Sequence, residues 1–210
     1  MAKTDNHNPK VKLDLRRHML NRFHAELPPH VFDCCQGSSV MWSQLREEYN
    51  LASYWGVDLK PKKGRMKIDS NRILCQAGWN FDVIDVDTYG SPWKHYSSVV
   101  ANATKPCTVL LTIGSTMHKG STDKQCLKIL GLDTLKIPES FCRKLDELAF
   151  STMLSYADNY GTIVYLVEAV STGNARYVGL HFVPRKSDPP IVATTSGSKQ
   201  KRTKKESASV

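Results

Sequence analysis

The chain predicts an α/β protein built on a doubly wound, mainly parallel seven-stranded sheet that ends in a C-terminal antiparallel hairpin. Two observations carry this reading. Short apolar runs alternate with helical segments four or more times, an order that within one sheet calls for crossover connections and parallel strands. A long helical segment then precedes two further strands joined by Ser171-Thr172-Gly173-Asn174, a hairpin signal.

Taken in order, residues 1–11 read as a disordered start, 12–184 as one domain and 185–210 as a basic disordered tail. Residues 12–27 place Leu13, Leu20 and Phe23 near helical spacing with Arg16, Arg17 and Arg22 interleaved. That pattern predicts an amphipathic helix with a basic outer face, stopped by Pro28-Pro29. Residues 30–35 predict the first strand, Gly37-Ser38-Ser39 a turn, and 40–49 a helix with a serine N-cap. Residues 54–59 and 66–68 predict the second and third strands, Asp69-Ser70 closing the latter before a helix from 71 to about 79. The fourth strand is 81–87, a helix covers 93–103, and the β-branched run 107–113 is the fifth strand. The Gly-, Lys- and Asp-rich segment 117–136 predicts only a short helix. A long helix over 139–159 follows, with Phe141, Leu145, Leu148 and Leu154 on its apolar side, and strands 162–170 and 176–183 complete the sheet.

With 210 residues the chain buries one sizeable core, and no apolar run approaches the roughly 18 residues that span a bilayer. The polar first ten residues lack the apolar stretch of a secretion signal, so a cytoplasmic protein without membrane contact is expected. Six cysteines show no Cys-x-x-Cys spacing and read as reduced, mostly packed thiols. The net charge is +9, and from Arg185 onward seven basic residues face two acidic ones, which puts +5 on the tail and +4 on the remainder. A polyanion suits that distribution, a merely solubilising tail being the alternative.

Four places offer chemistry. Asp33-Cys34-Cys35-Gln36-Gly37-Ser38-Ser39 ends the first strand with an acid and small residues at 35, 37 and 39, which lets backbone approach a ligand closely. Asp58 stands at the tip of the next strand, where a carboxylate can take both hydroxyls of a ribose. Asp69 and Ser70 close the third strand, an N-cap or solvated turn being the plainer reading of such acids. Asp87-Thr88-Tyr89-Gly90-Ser91-Pro92-Trp93 sets acid, aromatic and glycine where an open sheet does its chemistry. Asp85 shares a strand face with Asp87, but the pair lacks a third ligand for a metal.

These motifs resemble the class I S-adenosylmethionine-dependent methyltransferases over roughly residues 31–183, a family whose last strand inserts antiparallel. The 87–92 loop is similar to the catalytic loop of the tRNA guanine-N2 methyltransferases, Asp-Pro-Phe-Gly-Ser-Pro, with Thr88 and Tyr89 replacing Pro and Phe. The resemblance implies S-adenosyl-L-methionine as cofactor, held by Asp33, Cys35, Gly37, Ser39, Asp58, Asp69 and Ser70. It further implies Asp87 as acceptor for the target amine and Tyr89 stacked on the base, with Gly90 and Pro92 fixing the loop. Methyltransferase-like proteins of phages and prophages also resemble this chain in the Arg-rich first helix and the Asp-x-Tyr-Gly-Ser-Pro-Trp loop.

The function expected is methylation of a nucleobase nitrogen, in RNA before DNA. Arg16, Arg17, Lys119, Lys201 and Arg202 are the candidates for phosphate contact, and a protein partner could supply specificity. The competing expectations are a non-catalytic nucleic-acid-binding protein on a decayed scaffold, and a DNA amino-methyltransferase, which would flip its target base.

Overall fold

Apolar residues at period two, separated by helical segments, build one mixed sheet with helices on both faces. In this computed structural model residues 8–62, 65–88, 90–114, 117–118, 121–122, 124–132, 134, 142–172 and 175–185 are described. Their elements are α1 (Pro9–Phe23), β1 (His30–Asp33), α2 (Val40–Glu48), β2 (Ser53–Gly56), α3 (Ser70–Leu74), β3 (Val83–Val86) and α4 (Trp93–Asn102). There follow β4 (Cys107–Gly114), β5 (Met117–His118), β6 (Ser121–Thr122), α5 (Lys124–Ile129), α6 (Cys142–Asn159), β7 (Thr162–Thr172) and β8 (Ala175–Pro184). The main sheet has six strands in the order β2-β1-β3-β4-β8-β7, and β5 pairs with β6 apart from it. The first four strands of that order run parallel, whereas β8 is antiparallel to both β4 and β7.

Side-chain alternation divides the core between the two faces. Phe32, Ile84, Val86, Val109, Leu111, Val178, Leu180 and Phe182 point to one face and pack with Trp93, Tyr96 and Val99 of α4 and with Leu145, Phe150 and Met153 of α6. Val31, Val83, Leu110 and Tyr177 point to the other, under Leu15, Met19 and Leu20 of α1 and Trp42 and Leu45 of α2. Gly179 has a particular task on that second face. A Cβ there would stand 2.7 Å from the Met19 sulfur and 3.2 Å from Leu15 Cδ1, so the missing side chain lets α1 lie directly on β8.

Three expectations are corrected. The sheet has six strands rather than seven, because residues 66–68 make only an isolated parallel bridge, Asp58 to Lys67, instead of a ladder. The first helix starts at Pro9, inside the stretch expected to be disordered, with proline at the position where a missing N–H costs nothing. Its inner stripe is Lys12, Leu15, Arg16, Met19 and Leu20, so two cations lie on the buried face instead of the outer one. Cys75 is exposed, while Cys34 and Cys107 are buried. Residues 1–7, Tyr89, Lys119, and the tail from 186 with Lys201 and Arg202 lie outside the described residues.

Candidate active site at the strand ends

Parallel pairing of β1 with β3 aligns Asp33 with Asp85, and period two places Asp87 on the same face one step beyond. Three carboxylates so close repel one another, and the chain answers with two cations from α1. Arg16 grips Asp85 with both arms of its guanidinium, Nε and Nη2 each at 2.8 Å, while Trp42 Nε1 donates to the same carboxylate at 2.6 Å. Lys12 Nζ donates to both oxygens of Asp87, at 2.7 and 2.6 Å. The Arg16–Asp85 pair is almost fully buried, at 3% and 2% exposure, and Lys12–Asp87 nearly so, at 8% and 13%.

Asp33 is treated differently. Its carboxylate accepts from the Tyr54 hydroxyl at 2.8 Å and the Cys35 N–H at 3.2 Å. Burial, with the negative charge of Asp85 added, pushes its pKa up to about 7. Against burial, the charges of Arg16 and Lys12 hold Asp87 below the usual carboxylate range. Burial, with the charge of Asp87 added, pushes Asp85 above the usual carboxylate range, while the guanidinium and the Trp42 N–H pull against that rise. The cluster therefore sets two cations against three carboxylates, and Asp33 is the odd one.

The loop after β1 is shaped by backbone. Gly37 (φ +49°) and Ser39 (φ +52°) both take the left-handed conformation, which for Ser39 is uncommon. Ser39 sits at the N-cap of α2 without a capping side-chain bond, so the serine cap expected there is positional only. The loop is clasped from two sides: Gly37 N–H donates to Asp58 at 2.9 Å, and Arg65 donates to the carbonyls of Gly37 and Ser38 at 2.7 and 2.9 Å. Asp58 also accepts from Lys60 N–H at 2.8 Å, and a carboxylate with four lone-pair sites retains room for further donors.

Cys35 lies beside Asp33, to which its N–H donates. Its thiol is pushed up by burial and by the charges of Asp33, Asp87, Asp58 and Asp85, all four within electrostatic reach, and so stays a neutral thiol rather than a nucleophile. Asp69 caps α3 by accepting from Asn71 N–H at 3.0 Å. Ser70 is buried, bonds His95 at 2.9 Å and also bonds Cys34, which ties this corner to the end of β1. The loop after β3 docks on β4: Gly90 (φ +96°) accepts from Gly114 N–H at 3.0 Å, and a Cβ on Gly114 would come within 3.2 Å of Gly90. Pro92 starts α4, its carbonyl accepting from Tyr96 N–H at 3.0 Å.

Of the residues expected at the site, Asp33, Cys35, Gly37, Asp58 and Asp87 lie at the strand ends, with Asp69, Ser70 and Ser39 at the borders, while Gly90 is bonded to Gly114 and Pro92 leads into α4. Arg16 is corrected: at 2% exposure and chelated to Asp85 it faces no phosphate. Arg17 is half-exposed and paired with Glu48 at 2.7 Å, which holds that glutamate at about 2. Lys12, Trp42, Tyr54 and Arg65 were not anticipated. Lys12 and Arg16 stand four apart, in line with Leu15 and Met19, opposite two acids at strand spacing, and that complementarity was the signal.

No family model matches the chain, and no curated protein matches it in sequence. Solved structures do match in shape. One is Trm1 from Pyrococcus horikoshii in complex with S-adenosyl-L-methionine, at TM-score 0.62 and 16% identity over 84% of this chain. The match spans 56% of the Trm1 chain. Another is the plantazolicin methyltransferase BamL in complex with a triazolic desmethylPZN analog and SAH, at TM-score 0.51 and 11% identity over 84% of each chain. The chain shares its fold with these two structures.

Proposed function

We propose that the chain transfers a methyl group from S-adenosyl-L-methionine to a nitrogen of a nucleobase, in RNA. The observation that carries this reading is that Asp33, Asp85 and Asp87 share one face at the ends of parallel strands while Asp58 holds the Gly37 N–H of the adjoining loop. The residues fit the cofactor. A cluster with one carboxylate more than its cations suits a ligand of net positive charge, Asp33 taking the ammonium of its methionine part. The turn through Cys35, Gly37 and Ser39 presents backbone and small side chains, and Asp58 offers acceptors to the ribose. The Asp69-Ser70 corner borders the adenine end. When bound, the cofactor would supply an electrophilic methyl on a positively charged sulfur, its leaving group being a neutral thioether.

Asp87 accepts from the target amine and orients its lone pair. Held below the usual carboxylate range, it is too weak a base to keep the proton that the methylated nitrogen sheds, and that proton passes to water. Positioning is the larger part of the catalysis. Tyr89, in the place where the resembling loop carries Phe, is assigned to the face of the base. Lys119 and the tail cations Lys201 and Arg202 are assigned to phosphates, consistent with the +9 net charge. The chain is assigned to the cytoplasm.

Titration calorimetry with S-adenosylmethionine tests the cofactor: wild type should bind, and Asp58→Ala should lose about tenfold or more in affinity. Tritium transfer to bulk tRNA, rRNA and DNA tests the substrate, and Asp87→Ala should be silent. No binding to wild type at millimolar ligand would leave the non-catalytic nucleic-acid-binding reading in its place.

A further inference from the structure

We propose that Lys12 is the second recognition element of the acceptor site. With Asp87 it forms a donor–acceptor pair that selects a neutral aromatic amine beside a ring-nitrogen acceptor and turns away aliphatic ammonium groups. This rests on the methyl-transfer reading and adds to it a residue from α1, outside the strand-end motifs.

The geometry is the starting point. Lys12 Nζ lies within 2.7 Å of both Asp87 oxygens, one hydrogen bond more than a single ion pair needs. The Tyr177 ring lies 5.5 Å from the ammonium, and Arg16 Nη1 donates to the Lys12 backbone carbonyl at 2.9 Å, which holds that turn of the helix. An incoming amine takes one Asp87 oxygen, and the Lys12 N–H that leaves this oxygen turns to an acceptor next to the amine. Cytosine offers that edge as N4 and N3, adenine as N6 and N1, guanine as N2 and N3. Two bonds at the pair become three, and these stand in for the water bonds that the base gives up on entry.

Charge supplies the discrimination. A lysine side chain is protonated at neutral pH. Brought against Asp87 it would also lie against Lys12 and within reach of Arg16, 3.8 Å from the same carboxylate, and like charges in a buried setting repel strongly. A nucleobase amine is uncharged and meets no such barrier.

The test uses the full chain with labelled S-adenosylmethionine. Acceptors are ribo- and deoxyribo-oligonucleotides containing cytosine, adenine or guanine, and a lysine-containing peptide. Wild type should label oligonucleotides and leave the peptide unlabelled. Lys12→Met should lower kcat/KM on the oligonucleotides about ten- to hundredfold while S-adenosylmethionine binding by calorimetry is kept, and Lys12→Arg should restore part of the loss. The acid limb of the pH–rate profile should move to higher pH in Lys12→Met, since Asp87 loses a cation. Should Lys12→Met not fold, the acid limb is read in Lys12→Gln, which keeps a donor but loses the charge and should shift the limb in the same direction.

An unchanged kcat/KM and acid limb in the folded variant overturns the inference. So does wild-type labelling of the peptide, or cofactor binding with transfer to none of the oligonucleotides. Failure of wild type to bind S-adenosylmethionine is a separate result: it removes the methyl-transfer reading first, and this inference with it.

Discussion

At the scale of single residues, the buried charges decide behaviour. Arg16 holds Asp85 through two bonds in a site closed to water, so removing the arginine strands a carboxylate. Arg16→Met should cost about 3–5 kcal/mol of stability in urea unfolding, and Arg16→Met combined with Asp85→Asn should recover much of it. Asp33 gives a pH signature. Its folded pKa of about 7 lies above the roughly 3.9 of an unfolded aspartate, so between those values the folded chain holds more proton. Its contribution is therefore full below about pH 4 and lost as pH rises through about 7. Urea midpoints measured from pH 4 to 8 should fall less in Asp33→Asn than in wild type. Asp87, held low, acts in the opposite sense, its stabilisation being lost only as acid takes the pH down through its depressed pKa.

At the scale of elements, α1 is a structural part of the site rather than an appendage. It packs Leu15, Met19 and Leu20 on the sheet and carries both cations on the same stripe, so its seating on β8 sets where Lys12 and Arg16 reach. Gly179→Ala introduces a methyl 2.7 Å from the sulfur of Met19, a residue only 1% exposed. A loss of about 1–3 kcal/mol is expected, and Gly179→Ala with Met19→Ala should lose less than the sum of the two, as a double-mutant cycle by thermal or urea unfolding would measure. The helix also shows what periodicity misses. Leu13, Leu20 and Phe23 were legible as apolar, but the arginines among them read as an outer face. Which charged residues turn inward depends on what the sheet presents, and Asp85 and Asp87 are some seventy residues away. The third strand failed for the same reason: residues 66–68 have strand-like composition, yet only Lys67 bridges Asp58.

At the scale of the whole molecule, a large share of the positive charge lies in the sequence beyond residue 185. Removing 186–210 takes away six basic residues and two acidic ones. On the RNA-binding reading, the truncated chain should bind RNA more weakly, and the slope of log affinity against log salt should flatten by up to about four, near 0.7 for each single-strand phosphate that the tail neutralises. A filter-binding series across salt concentrations checks this, and an unchanged slope would assign the tail to solubility alone.

The order of strands and helices, the acids at successive strand tips and the glycine-bearing loops were determined by sequence, because each depends on neighbours within a few positions: alternation, turn residues, an acid ending an apolar run. The pairing of those acids was decided only by tertiary structure. Asp33, Asp85 and Asp87 share one face through parallel register, and the cations that meet them come from a helix more than sixty positions from Asp85 and Asp87. Local sequence specifies which groups carry charge. Which of these charges stay in water, and which must find one another once water is gone, is settled when the helix closes on the sheet.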